Sequence, residues 1–473
     1  MEQARDFDVV VIGAGPAGEV CAGRLAENGL SVALVERELV GGECSFYACM
    51  PSKALVRPAQ ALAEARRVPG AAEAAAGELD VAAVLHRRDE IVNDLDDSAH
   101  LPWLAEHSIE LVRGDGTLIG EREVRVGEEL LRARRAVVLA PGSGPVLPPI
   151  PGLADAEPWT NREATTAKAI PASLLVLGGG VVGVEMAYAY ATLGARVTLV
   201  EALPRLIAGE EEFASEQVRE SLQGLGVEMI LGVKAIAARR EGERGQGGAS
   251  GQEGGRGSVT LELDDGRSVA GEQLLVAVGR RPRTDALGID ALGLQGGRFV
   301  EVDETMRVPG HDWLFVIGDA NGRVLLTHMG KYQARVAAEH ILRRTGPRAE
   351  LRSDGRLAPR VIFTEPQVAA VGHTLASAQD AGLNVRAVDR PVGANAGGSF
   401  VGRDAPGTAR IVVDEDRRVI VGATFTGVEV AESLHAATIA VIGEVPLERL
   451  WHAVPCFPTR SEVWLRLLEG YGL

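Results

Sequence analysis

The chain has 473 residues and a formal net charge of −16, with a pI near 5.2. Its length accommodates about three domains, and its acidity disfavours a nucleic-acid partner, because gripping phosphates requires a basic face. It has no run of about 18 apolar residues that would predict a membrane span, its four cysteines are too few for a secreted disulfide framework, and its start lacks the order of a signal peptide, so the composition predicts a cytoplasmic enzyme.

The first predicted elements form a strand–turn–helix–strand unit in DFDVVVIGAGPAGEVCAGRLAENGLSVALVER. A buried strand over Val9 to Ile12 runs into Gly13, Gly15 and Gly18. In such a turn the first glycine permits the tight bend and the second lets backbone approach a pyrophosphate. The third lets helix and strand pack closely, and the helix N-terminus then faces the phosphates. Glu36 ends the second strand, placed to accept from a ribose hydroxyl. Cys21 falls on the apolar face of the helix and reads as a packing cysteine.

Next comes GGECSFYACMPSK, Gly41 to Lys53, with Cys44 and Cys49 five apart. Core packing does not account for their setting among Gly, Pro, Ser and Lys. A structural metal site is poorly supported by one pair with no histidine nearby. A redox disulfide fits best. Residues five apart on an ideal helix lie roughly 8–9 Å apart at Cα, whereas a disulfide needs less than about 7 Å. The segment is therefore expected to depart from regular helix, and Pro51 and Ser52 suit a helix start. Lys53 is placed to stabilise a thiolate.

A Gly/Pro-rich crossover follows at Ala140 to Gly152, and then the nucleotide pattern returns. Its glycines are Gly178, Gly180 and Gly183, and its acid is Glu201, at the same 23-residue offset as Gly13 to Glu36. Two copies in the same context are a far stronger signal than one, and they point to two dinucleotides. Glu201 favours NAD over NADP, since a carboxylate repels a 2′-phosphate; Arg205 nearby leaves NADP(H) open. The polar insert Glu241 to Ser258 reads as a hairpin loop and Arg352 to Pro359 as a linker. Short strands and helices after it predict an α+β module without a nucleotide motif.

The chain resembles the FAD-dependent pyridine nucleotide–disulfide oxidoreductases, which include dihydrolipoamide dehydrogenase, glutathione reductase and mercuric reductase. GGECSFYACMPSK is similar to their G-G-x-C-x-x-x-x-C-x-P-[ST]-K signature. AVGRRPRT resembles the segment that closes their NAD domain, FVIGDA their second FAD motif, and TEPQVAAVG the start of their dimerisation domain. The resemblance implies an α/β fold: two Rossmann-like domains and a C-terminal α+β dimerisation domain. The expected boundaries are 1–150 for the first FAD part, 151–283 for NAD(P), 284–353 for the central FAD part and 354–473 for the interface domain.

The resemblance also implies roles. Cys44 would be the thiol that meets substrate, and Cys49 would lie against the flavin as a thiolate. Lys53 would sit near flavin N5, paired with Glu185. FAD would contact Gly13, Gly15, Gly18, Glu36, Gly42, Gly116, Asp319 and the helix start at His328. NAD would contact Gly178, Gly180, Gly183, Glu201 and Gly279. Homodimerisation would bring the partner's C-terminal segment to the disulfide, where such enzymes carry H-x-H-P-T-x-x-E.

This chain instead ends WHAVPCFPTRSEVWLRLLEGYGL. Pro458, Thr459 and Glu462 fit the pattern, with Glu462 at the position that orients the histidine, but the base position is Phe457. Phenylalanine cannot accept a proton, whereas histidine can. His452, five residues upstream, reads as a surface or interface histidine rather than a substitute base, Cys456 as a packing residue rather than a third thiol, and the C-terminal cysteine pair of mercuric reductases is missing. The expected function is an FAD-dependent NAD(P)H oxidoreductase acting on quinones or another small acceptor. The alternatives are a genuine dihydrolipoamide dehydrogenase, another disulfide or metal-ion reductase, or a flavoprotein that acts mainly as a binding partner in a complex. No protein-bound metal is expected.

Overall fold

A computed structural model describes residues 4–241 and 257–473. The chain divides into two compact units. The first comprises 1–51, 89–144 and 280–358, and the second 52–88, 145–279 and 359–473. The Gly/Pro-rich crossover and the predicted linker each contain one of these divisions, at 144/145 and 358/359.

The first unit is built on a seven-stranded sheet. Its parallel part places Ile109–Arg113, Val32–Glu36, Arg5–Ile12 and Glu129–Leu139 side by side, with Leu314–Val316 joining the last of these. The strand VVVI, Val9 to Ile12, is buried on both faces, so it reads as an unbroken apolar run rather than an alternating one. The helices Pro16–Ala26 and Thr327–Ile341 pack against each other beside this sheet. Gly330 makes that approach possible, since a Cβ there would sit 3.2 Å from the Ala17 side chain.

The second unit repeats the scheme. Its parallel sheet runs in the order Glu228–Leu231, Arg196–Glu201, Ser173–Leu177, Gln273–Val276. The helix Val181–Thr192 is buried from Gly183 to Tyr190, as a run almost without polar residues requires, while Val181 and Val182 at its start are exposed. A three-stranded antiparallel sheet includes Ala235–Glu241 and Ser258–Leu263 as antiparallel neighbours. The body of the Gly-rich insert, 242–256, lies outside the described residues. The same unit also contains a five-stranded antiparallel sheet, led by Gln367–Gly372 and Val419–Gly427, both fully buried, and the final helix Val463–Tyr471.

Among the described residues no helix is long and apolar enough to cross a membrane. None of them forms a cluster of metal-ligating side chains.

Candidate active site

The two glycine turns share one construction. At Gly18 a Cβ would collide with the carbonyl of Gly13, and at Gly183 with that of Gly178. These glycines are there for close packing. Gly13 and Gly178 have φ of +101° and +113°, which side chains other than glycine rarely adopt. Gly15 and Gly180 differ: both have ordinary backbone angles, and a Cβ at either would meet nothing within 4 Å. Each therefore keeps its backbone bare toward open space at a helix N-terminus, which is the cradle a pyrophosphate needs.

The acids at the strand ends are held to the backbone. Glu36 accepts from the Ala14 and Glu38 amides, each at 2.8 Å. Glu201 accepts from the Gly179 amide and, at 2.7 Å, from that of Leu203. Both carboxylates, expected to face the nucleotide's ribose, are held by backbone amides at their own strand ends and turns. Gly42, at φ +58°, crosses close to Gly15, with a Cβ placed 2.9 Å from the Gly15 Cα. Gly116 is buried in a strand against Ile12 and Val35, so its absent side chain leaves room for core residues. Gly279 has φ +143° with open space where a side chain would be.

The cysteines lie in the first unit. The helix Gly42–Phe46 carries Cys44 and ends at Tyr47, and the helix Cys49–Arg67 starts with Cys49. The break between them is the expected departure from regular helix. Both cysteines are free thiols and half-buried, hydrogen-bonded to each other. The Cys49 Sγ also lies 3.4 Å from Thr327 Oγ1. The Cys44 thiol is pushed well above its ordinary range by the hydrogen bond with Cys49, by burial and by the neighbouring sulfur's charge. Thr327 and Lys331 pull it the other way without prevailing. Deprotonating Cys44 near neutral pH therefore calls for help from a base. Cys21, by contrast, is wholly buried and its thiol is raised to about 12 by burial alone.

A polar network that the motifs did not single out sits beside Cys44. Arg283 donates to Glu43 at 2.6 Å, Arg280 donates to Ser143 Oγ at 2.6 Å, and Ser143 in turn donates to Asp319 at 2.5 Å. Asp319 occupies a short 3₁₀ turn, Gly318–Asn321. His328 is the second residue of the helix Thr327–Ile341 and is exposed. The segment AVGRRPRT contained both arginines, but their partners are remote in sequence.

In the second unit, Lys53 Nζ donates to Glu185 Oε2 at 2.7 Å and lies 4.6 Å from the centre of the Phe363 ring. Glu185 is only 3% exposed, and its other oxygen accepts from the Phe363 amide at 2.9 Å. Lys53→Met leaves that buried carboxylate without its counter-charge. The melting midpoint in urea is expected to fall by the equivalent of about 3 kcal/mol, whereas an unchanged midpoint would mean the pair contributes nothing to folding.

The C-terminal segment of the second unit presents Val454 at 83% and Phe457 at 77% exposure, and His452 and Cys456 are also exposed. Glu462 is buried, with Oε2 lacking any hydrogen-bond partner among the described residues. The position at which the resemblance expects the imidazole that this carboxylate would orient is Phe457.

Comparison with known proteins fits these two glycine cradles and the thiol pair. A family model described as pyridine nucleotide-disulphide oxidoreductase matches residues 7–339, and the dimerisation domain of the same family matches 358–467. The chain belongs to the pyridine nucleotide-disulphide oxidoreductase family. A dihydrolipoyl dehydrogenase of Haloferax volcanii is 30% identical, covering 99% of this chain and 96% of the relative. One from Thermus scotoductus is 32% identical, covering 98% and 97%. A mercuric reductase of Staphylococcus aureus is 27% identical over 97% of this chain and 81% of its own length. Among solved structures, the HOCl-induced flavoprotein disulfide reductase RclA of Escherichia coli superposes with a TM-score of 0.83 at 24% identity, covering 98% and 99% of the two chains. LpdA of Mycobacterium tuberculosis gives 0.83 at 23%, covering 98% and 100%. The protein is thus an enzyme, a flavoprotein disulfide reductase of the lipoamide dehydrogenase family, whose members use FAD and NAD(P)H.

Proposed function

We propose that this oxidoreductase carries electrons from NADH to a small acceptor through Cys44 and Cys49, and that its acceptor takes them without a histidine base at position 457. The observation that carries this reading is the thiol pair itself, two half-buried cysteines hydrogen-bonded across a helix break. FAD held at the first glycine cradle would supply two-electron chemistry between NADH and the cysteines. Gly13, Gly15 and Gly18 would hold the FAD pyrophosphate, with Gly42 and Asp319 lining the site further along. Gly178, Gly180 and Gly183 would hold that of NAD. Cys49 would keep the charge of the reduced pair while Cys44 keeps its proton.

Quinones suit such a site, because their reduction requires no proton transfer to or from a substrate thiol. A second reading, a true dihydrolipoamide dehydrogenase, is favoured by the curated relatives of that name. The two separate on acceptor choice: the first expects a quinone to turn over faster than lipoamide, and fast lipoamide turnover would overturn it. A homodimer is supported by the matched dimerisation segment, and by Phe400, Val454 and Phe457 there, each at least 70% exposed.

NAD is the proposed second dinucleotide. Glu201 stands at the strand end, and the Arg205 guanidinium donates to the carbonyls of Ala208 at 2.6 Å and Glu210 at 3.0 Å. That arginine is committed and cannot readily turn to a 2′-phosphate, while Glu201 repels one. Steady-state kinetics are expected to favour NADH over NADPH by about tenfold or more in kcat/KM; equal values would refute the assignment.

A further inference from the structure

Thr327 touches Cys49 and opens a helix whose exposed face carries charge that the proposed function does not use. In the helix Thr327–Ile341, residues 329, 330, 333 and 334 are buried, and Lys331 and Arg335 are exposed. Lys331 stands four residues beyond Thr327 and Arg335 eight. Positions four apart share a helix face, so the two cations follow Thr327 along one side, over about 12 Å of helix rise. Among the described residues neither makes an ion pair, and Arg335 lies only near the ring of Tyr332, at 5.7 Å. Lys331 is also one of only four lysines in the chain, and its charge reaches Cys44.

Some arginines on this surface are taken up by carboxylates, as with Arg410 between Asp389 and Glu211 and Arg417 between Asp414 and Glu444, whereas Lys331 acts only at a distance on the carboxylate of Glu19. The overall charge repels an anionic molecule, but exposed charges beyond a Debye length of about 8 Å are screened at physiological salt. Lys331, whose charge reaches Cys44, therefore acts at the thiols themselves, and Arg335 one turn further on would meet the remoter end of a carboxylate-bearing acceptor laid along this face.

We infer that Lys331 and Arg335 are specificity residues that select acceptors bearing negative charge, specifically carboxylates, at the Cys44–Cys49 site. This rests on the thiol-relay reading above. For a disulfide acceptor the balance is simple. Cys44 and Cys49 close their S–S bond, the acceptor's S–S bond breaks, two electrons pass to its two sulfur atoms, and the two thiol protons go to those sulfurs or, where they leave as thiolates, to solvent. An aromatic disulfide suits the test, because its thiols leave readily as thiolates and need little help from a base.

The experiment uses the FAD-loaded full chain with NADH and two such disulfides: that of thionitrobenzoate, which is dianionic, and that of mercaptopyridine, which is neutral. The wild type is expected to show the lower KM for the anionic one. In Lys331→Met/Arg335→Met the ratio of anionic to neutral KM should rise about tenfold, in line with exposed charge pairs acting together, and Lys331→Arg/Arg335→Lys should keep the wild-type ratio. A general loss of folding or flavin would strike both substrates and leave the ratio alone. A wild type that reduces both disulfides without charge preference, or a double variant with an unchanged ratio, overturns the inference and leaves the relay standing. A wild type that reduces neither disulfide and in which NADH produces neither flavin bleaching nor a long-wavelength thiolate band overturns the relay itself.

Discussion

Phe457→His raises turnover with dithiol and disulfide substrates by about 10²–10⁴-fold, the usual contribution of a positioned acid–base group. Four observations combine to predict this. The Cys44 thiol is held protonated by Cys49 and by burial, and thiolate is the species that exchanges. The natural side chain at 457 has no atom that can take a proton. The position is 77% exposed, so the smaller imidazole enters without disturbing a core. Glu462, buried and with Oε2 unpartnered, is available to orient the new ring. The gain should come with a new limb in the pH profile near 6.5, the ordinary histidine value, and Phe457→Gln should show neither. Equal turnover in all three proteins would mean that proton handling at 457 does not limit this enzyme.

Cys49→Ser lowers acceptor turnover by at least about 10³-fold, because removing one member of a unit that acts together forfeits nearly all of its contribution. A serine hydroxyl can keep the contact with Thr327 but cannot form the S–S bond. Flavin bleaching by NADH in a rapid-mixing experiment should persist in this variant, which separates loss of the relay from loss of nucleotide binding. Cys44→Ser should be equally slow with disulfide acceptors. If both variants retained full turnover with a quinone, the acceptor would be drawing electrons without the thiols, and they would have no part in that reaction.

The glycine turns and the thiol segment could be read from sequence because local geometry dictates them. Gly18 and Gly183 must lack a side chain to clear a carbonyl five residues back, and a five-residue cysteine spacing cannot be bridged on regular helix. Both constraints act within one short stretch of chain. What stayed hidden depends on residues brought together from afar. The Arg283–Glu43 pair spans 240 positions, and the contact of Thr327 with Cys49 spans 278; nothing near either residue signals its partner. Gly116, expected to line the FAD site, sits where a Cβ would meet the Ile12 and Val35 side chains, neighbours from strands remote in sequence. Glu36 and Glu201 were legible as acids at strand ends, but their bonds to the backbone amides of their own turns emerge only in three dimensions.

The central claim is that Cys44 and Cys49 are a redox pair fed from NADH. Anaerobic titration of the FAD-loaded protein with NADH, followed by absorbance, tests it most directly. The account predicts uptake of two electrons with growth of a long-wavelength band from the Cys49 thiolate beside the flavin, together with two newly titratable thiols per chain. Bleaching of the flavin with no such band and no new thiols would contradict it.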